Sequence, residues 1–249
     1  MKPVKYFLLF LSLGFVPLIF SCNYPSSSSD GNKKDTLNVC KEKVKQISAL
    51  EKKLIDMGLV DVHKLDTSIT IEIKYSTTDN FMNRDMYGDF DKAYLQKDVA
   101  ENLVKSQKYL DELMKGYKII IYDATRPQSV QQYMWDSVNI SYSKKVNYLA
   151  NPLTGSLHSY GCAVDISILD NEKKPLDMGT PFDYMGVEAS SENESSLLKD
   201  GKLTQQQIDN RKLLRQVMQH ADFFNVHSEW WHFNACRIEE AKKKYKIIE

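Results

Sequence analysis

Apolar residues recur along this chain with two periods, one near 3.6 residues and one of two, and the switches between them predict its elements. Residues 38 to 57 mix Lys and Glu with apolar positions at helical spacing and read as an amphipathic helix. Ile69 to Tyr75 alternates with period two, which predicts a half-buried strand. The loop from Ser76 to Gly88 sets Phe81 and Tyr87 beside small polar residues and reads equally as a pocket wall or as surface. Val99, Leu103, Leu110 and Leu113 mark one face of a helix over residues 97 to 115, stopped by Gly116. Tyr117 to Tyr122 has the β-branched content of an interior strand, and Pro127 suits the first turn of a helix from Gln128 to Val138.

The second half continues in the same way. Asn151 to Gly155 is a loop. Ala163 to Ile168 is a strand with Ala163, Asp165 and Ser167 on one face and Val164, Ile166 and Ile168 on the other, and Gly161 supplies a bend just before it. Residues 188 to 202, rich in Ser, Glu and Lys, read as an exposed excursion. Thr204 and Gln207 resemble a capping box opening a helix whose apolar face holds Ile208, Leu214, Val217, Met218 and Ala221. Phe223 to Phe233 reads as a strand pair or bulged strand, and the basic tail from Arg237 as a surface helix.

The first residues follow a different plan. Lys2 and Lys5 precede an apolar run from Tyr6 to Phe20 closed by Ser21 and Cys22, too short to span a bilayer comfortably and laid out like a secretory signal. A small residue followed by Cys resembles the lipobox of bacterial lipoproteins, although Ile19-Phe20-Ser21 is a looser lead-in than usual; a plainly cleaved signal and an uncleaved anchor are the alternatives. The division this implies is 1–22 signal ending at a lipidated Cys22, 23–37 polar tether, and 38–249 one folded domain. Lys plus Arg and Asp plus Glu balance at 33 each, so no net field draws the chain to nucleic acid, and contact with a membrane is expected only through the lipid. With Cys22 lipidated, Cys40, Cys162 and Cys236 remain; Cys162 and Cys236 each lie four residues beyond a candidate ligand histidine, so they form either a bridge or two small buried thiols.

The chemistry concentrates at Ser156 to Asp165 and at Glu229 to His232. Two imidazoles and two carboxylates there fall in stretches that otherwise read as buried strand, an arrangement costing several kcal/mol unless a cation sits among them. Hydrolytic zinc takes three protein ligands and leaves a position for water. His158, Asp165 and His232 supply that set, leaving Glu229 as a general base beside the water and Arg126, at a strand-to-helix junction, to oppose charge on the carbonyl oxygen. Each piece alone is weak: a lone histidine in an aromatic run is more often a core residue, and an arginine at such a junction more often a cap or surface charge. His63, His220 and His227 read as structural, with His227 the substitute should His232 fail.

Ser156-x-His158-x-x-Gly161-x-Ala163-x-Asp165 with Glu229-Trp230-Trp231-His232-Phe233 resembles the zinc D-alanyl-D-alanine dipeptidases, the family that includes the vancomycin-resistance dipeptidase. The resemblance extends to Tyr75 to Phe81, Asp123 to Pro127, Met178 to Asp183 and Asn210-Arg211, spanning about residues 60 to 236. It implies one zinc per chain on His158, Asp165 and His232, catalysis by Glu229 and Arg126, and a dipeptide held by Ser156 and Asp183, whose carboxylate suits a free ammonium. Thr125 stands where the family has a tyrosine, Ser190-Ser191 where it tends to Ser-His, and Ala221-Asp222-Phe223 where a glycine usually precedes the aromatic.

The expectation is an α+β fold, a single domain with a central, mostly antiparallel sheet flanked by helices and one zinc site on the sheet. The expected activity is hydrolysis, outside the cytoplasm, of D-Ala-D-Ala or a near relative from peptidoglycan in a closed pocket lined by Arg126, Asp183 and Ser156. One rival is a D,D-carboxypeptidase or endopeptidase acting on longer stem peptides; another is a non-catalytic, zinc-stabilised peptide-binding lipoprotein. Oligomeric state is left open.

Overall fold

The computed structural model describes residues 47–249. The predicted signal, the tether, Cys22, Cys40 and the start of the 38 to 57 helix lie outside the described residues. In chain order the elements are α1 (Ala49–Asp56), β1 (Val60–Asp61), α2 (Val62–Leu65), β2 (Thr70–Ile71), β3 (Tyr94–Leu95), α3 (Lys97–Leu113), β4 (Lys118–Asp123), α4 (Gln128–Ser137) and α5 (Tyr142–Tyr148). There follow β5 (Ala163–Leu169), α6 (Glu194–Lys199), α7 (Gln205–Gln219), β6 (Phe224–Asn225), β7 (His232–Asn234) and α8 (Ile238–Lys244), with short 3-10 turns at Lys74–Ser76, Leu157–Tyr160 and Val187–Ala189. Among the described residues no helix is long and apolar enough to cross a membrane.

Five strands form the central sheet in the order β2-β4-β5-β7-β6, parallel between β2 and β4 and antiparallel elsewhere; β1 and β3 pair separately. The fold is therefore α+β, with helices around a mostly antiparallel sheet. Every residue of β5 is buried, and Ile119, Ile121, Ile166 and Ile168 are fully so. Each such side chain contributes about 2–3 kcal/mol through its removal from water, which pins the register of the two central strands. That register shifts between Ile121 and Asp123, so that Asp165 stands opposite Asp123 on one side and His232 on the other. Three ionisable side chains thus share one cross-strand row, close enough to interact directly.

Helix α3 packs Val99, Leu103 and Leu110 inward as their spacing predicts, and the amide of Gln107 closes onto the main chain of Tyr117 and Ile119. Leu113 is exposed instead, because the helix ends there and Gly116 turns the chain at φ 88°. The capping box on α7 forms as read, with Gln207 N donating to Thr204 Oγ1 and Thr204 N to Gln207 Oε1. Other expectations need correcting. The strand predicted over residues 69 to 75 is only two residues long, because the 3-10 turn at Lys74–Ser76 swings Tyr75 into the core. Residues 188 to 202 are exposed at most positions, as read, but the stretch is anchored: Ala189, Glu194 and Leu197 are buried, and Arg215 holds both carboxylate oxygens of Glu194 at 2.8 and 2.7 Å. Pro127 caps α4 rather than occupying its first turn.

Candidate metal centre and active site

His158 reaches the row formed by Asp165 and His232 from the 3-10 turn before β5. Gly161 closes that turn at φ 66°, and a Cβ there would also meet Leu59 Cδ2 at 3.0 Å, so both backbone and space call for glycine. The turn and the junction after β4 hold each other: Arg126 N donates to His158 O at 3.1 Å, and His158 Nδ1 donates to Ala124 O at 2.6 Å. A carbonyl only accepts, so the proton is on Nδ1 and the Nε2 lone pair faces the sheet. His232 is fixed from the other side, its Nε2 donating to Asn234 Oδ1 at 2.8 Å, which leaves Nδ1 bare.

These bare atoms converge. His158 Nε2 lies 3.1 Å from His232 Nδ1, and Asp165 Oδ1 lies 2.9 Å from His232 Nδ1 and 3.4 Å from His158 Nε2. Two lone pairs and an anionic oxygen aimed at a common point repel unless a cation joins them. The three donor atoms lie within 4.8 Å of one another, and each imidazole is braced on its remaining nitrogen, as metal-ligating histidines are. The set fits zinc. Burial disfavours the charge on Asp165; where the facing nitrogens carry protons in place of a metal, His158 and then His232 outweigh burial and hold the carboxyl well below the usual carboxylate range.

Around this point a cavity of about 170 Å³ collects Arg126, Ser156, Asp183 and Glu229 with the three donors. Glu229 stands 4.0 Å from His232 Nδ1, and burial pushes its carboxyl up to about 8. Asp183, at φ 62°, accepts from Tyr75 Oη at 2.9 Å and from Phe81 N at 3.4 Å; burial first, then Asp165, pushes it up to about 7. Arg126 sends Nε and Nη2 to Asp123 Oδ2 at 2.9 and 2.7 Å and Nη1 to Gln131 Oε1 at 2.9 Å, with its guanidinium 4.9 Å above the Tyr75 ring. Burial opposes its charge, but the combined fields of Asp123, Tyr75, Tyr87 and Asp165 outweigh burial and hold the guanidinium well above its usual value. Ser156 is buried at the cavity wall.

The supporting shell went unassigned in the sequence. Asp123, Gln131 and Tyr87, whose hydroxyl donates to Asp123 Oδ1 at 3.0 Å, fix Arg126. Asn234 was within reach, because two residues along a strand is the same face as His232. The loop from Ser76 to Gly88 contributes Phe81 to the cavity wall. Among the other histidines, His220 stacks on Tyr109 at 3.8 Å, His63 Nδ1 lies 3.3 Å from Ile69 O, and His227 pairs with the exposed Glu192 at 3.4 Å. Cys162 and Cys236 are free thiols in hydrogen-bonding contact.

The sequence profile of the Peptidase M15 family, D-Ala-D-Ala dipeptidase, matches residues 55–246. The chain belongs to this family. It is 32% identical over 175 residues to a D-alanyl-D-alanine dipeptidase of Escherichia coli, covering 70% of this chain and 83% of that one. With a D-alanyl-D-alanine dipeptidase of Synechocystis sp. it shares 29% over 174 residues, covering 56% of this chain and 68% of the other. A solved vancomycin-resistance D,D-pentapeptidase, VanY of a VanB-type cassette in complex with Zn(II), overlaps at a TM-score of 0.34 and 16% identity, over 72% of this chain and 85% of that one. That overlap is too loose to bear on the site. Membership of the dipeptidase family makes the chain a zinc metallopeptidase of the peptidoglycan-related kind. Where it departs from the family pattern, Thr125 is buried with its hydroxyl on Tyr94 O at 2.6 Å, and Ser190 Oγ donates to His227 O at 2.9 Å. Asp222, in the place of a glycine, adopts φ 65°, a conformation glycine takes at no steric cost.

Proposed function

We propose that the protein is an exported dipeptidase that hydrolyses D-Ala-D-Ala, or a near relative released from peptidoglycan. The observation that carries this reading is the small cavity in which the three donor atoms, Glu229, Arg126, Asp183 and Ser156 face one another. At about 170 Å³ it is below the roughly 300–1,000 Å³ of pockets that take drug-sized ligands. A substrate with both charged ends inside it needs a counter-charge for each.

His158, Asp165 and His232 would hold the zinc. When bound, zinc supplies a Lewis acid that brings the pKa of a water to ~7 and a positive charge that draws Glu229 back towards the carboxylate. Glu229 takes the proton of the attacking water and, with a pKa raised by its dry setting, returns it to the departing amine. Arg126 opposes the charge growing on the carbonyl oxygen, a contact worth ~3–4 kcal/mol where the donor is pre-positioned, as Asp123 and Gln131 position this one. Asp183 receives the ammonium, whose approach favours its ionised form, and Ser156 offers a hydroxyl to the bound peptide. Cys22 would carry lipid, with residues 23–37 as tether to the domain; the layout of the first 22 residues supports this, and the mass of the mature amino terminus tests it.

The deciding assay compares free D-Ala-D-Ala with a pentapeptide ending in the same two residues. The dipeptidase reading predicts at least a hundredfold preference for the dipeptide in kcat/KM. Equal or better cleavage of the pentapeptide would move the activity to a carboxypeptidase. Binding that persists in Glu229→Ala, with no turnover in the parent, would make the protein a zinc-stabilised receptor.

A further inference from the structure

Asp183 reaches the cavity on a segment, residues 177 to 190, whose only regular element is the 3-10 turn at Val187–Ala189. Five hydrogen bonds from three side chains of α7 hold that segment. Arg211 Nε donates to Met178 O at 2.7 Å, Nη2 to Glu188 O at 2.8 Å and Nη1 to Ser190 O at 3.5 Å. Asn210 Nδ2 donates to Asp177 O at 2.8 Å, and Gln207 Nε2 to Asp177 Oδ2 at 2.8 Å. The two ends of the segment thus meet on a single guanidinium, with Asp183 midway between them.

Arg211 is 0% exposed and heads the fully buried side chains by size. Its nearest acid, Glu194, stands 3.9 Å away and gives both oxygens to Arg215, so the hydrogen bonds of Arg211 go to main-chain carbonyls. Packing alone does not call for a buried guanidinium, whose costly desolvation is offset here by hydrogen bonds to main-chain carbonyls. A planar fork that spans three carbonyls does fix their relative position. The segment also needs fixing. Asp183 sits at φ 62°, a backbone state that persists in non-glycine residues only where the surroundings over-determine it. At Gly179 a Cβ would meet Leu203 Cδ2 at 2.3 Å, so the segment presses against the helix side. On its other flank Trp230 Nε1 donates to Thr180 Oγ1 at 2.8 Å, next in sequence to Glu229.

We propose that Arg211 is the positioning residue of the ammonium subsite: by tying Met178, Glu188 and Ser190 to α7 it sets where Asp183 stands relative to Glu229, and so governs affinity for the free amino end of a dipeptide it never touches. This rests on the reading of Asp183 as the ammonium acceptor. The zinc donors and Glu229 stand on other segments, so loosening Arg211 weakens binding and spares the chemical step.

The test is steady-state hydrolysis of D-Ala-D-Ala by the full chain and by Arg211→Lys, Asn210→Ala, Asp183→Asn and the Arg211→Lys/Asp183→Asn double variant, each with zinc content and Tm. Arg211→Lys is expected to raise KM tenfold or more, with kcat within threefold and one zinc per chain. Asn210→Ala, which removes one of the five bonds, raises KM a few-fold and carries the test should the lysine variant fail to fold. The double variant is expected to be no worse in KM than Asp183→Asn, because coupled sites do not add. An Arg211→Lys or Asn210→Ala variant with lowered Tm and unchanged KM, or additive KM effects in the double variant, overturns the role of Arg211 while Asp183→Asn still raises KM. If Asp183→Asn itself leaves KM unchanged, the ammonium reading fails and the inference falls with it.

Discussion

His158, Asp165 and His232 stand on main chain whose hydrogen bonds close within the sheet, or between β4 and the single turn before β5. Asp183 faces them across the same cavity on a segment held by the side chains of a helix far along the chain. The first wall is rigid because strand register and one glycine leave no alternative. The second depends on a few polar contacts, each removable by a single substitution. In the proposed mechanism the first wall carries the chemistry and the second the binding of the amino end, so damage to each should read out in a different kinetic constant.

The largest expected effect is on the sheet side. Glu229→Gln keeps the shape of the side chain and removes the base, and is expected to lower kcat about 10²–10⁴-fold with KM and zinc content little changed. Asp183→Asn is the counterpart on the segment side: losing a charged hydrogen bond of about 1.5–3 kcal/mol should raise KM roughly 10- to 150-fold with kcat nearly kept. If both variants fall in kcat alone, the division between the walls is wrong.

A pH series on metal-free protein separates the walls by stability. Glu229 at about 8 and Asp183 at about 7 keep protons in the folded chain that the unfolded chain sheds near pH 4 to 4.5. The folded state then binds more protons, so stability falls as pH rises from about 4.5 to 8, by about 1.4 kcal/mol per pH unit for each carboxyl that stays protonated only in the folded chain. Metal-free Glu229→Gln should lose much of that fall, most visibly near its upper end, and Asp183→Asn part of it lower down, both measured by chemical denaturation. Asp165 has the opposite sign: its depressed pKa contributes stability above the unfolded value near 4, lost only as the pH falls below that. The smallest effect lies outside both walls. Asp222→Gly should raise stability by about 0.5–1 kcal/mol in the same denaturation assay, because the residue at φ 65° already has the conformation glycine prefers, and should leave both kinetic constants unchanged.

The two walls were also unequally legible in the sequence. The alternation of β5 placed Asp165 on one face, Gly161 marked the bend that delivers His158, and Thr204 with Gln207 marked the start of α7; these are local rules, and local hydrogen bonds and burial enforce them. Residues 188 to 202 are exposed at most positions as their composition says, but the anchor at Glu194 was hidden because Glu signals exposure only when it lacks a partner, and the partner of Glu194 lies on α7. Ile69 to Tyr75 misled because alternation does not say where a strand stops, and here Tyr75 is needed beneath Arg126. The grip of Arg211 on three carbonyls leaves no periodic trace, since backbone acceptors look alike at every position. The outline of the supporting shell was equally hidden, apart from Asn234 two residues beyond His232.

Zinc titration of the metal-free chain, followed by D-alanine release from D-Ala-D-Ala, tests most directly whether two distant stretches build one hydrolytic centre. Activity is predicted to be absent without metal, to rise in proportion to added zinc and to break at one equivalent per chain. Undiminished turnover in the metal-free protein, or full zinc binding without any release of D-alanine, would contradict the account.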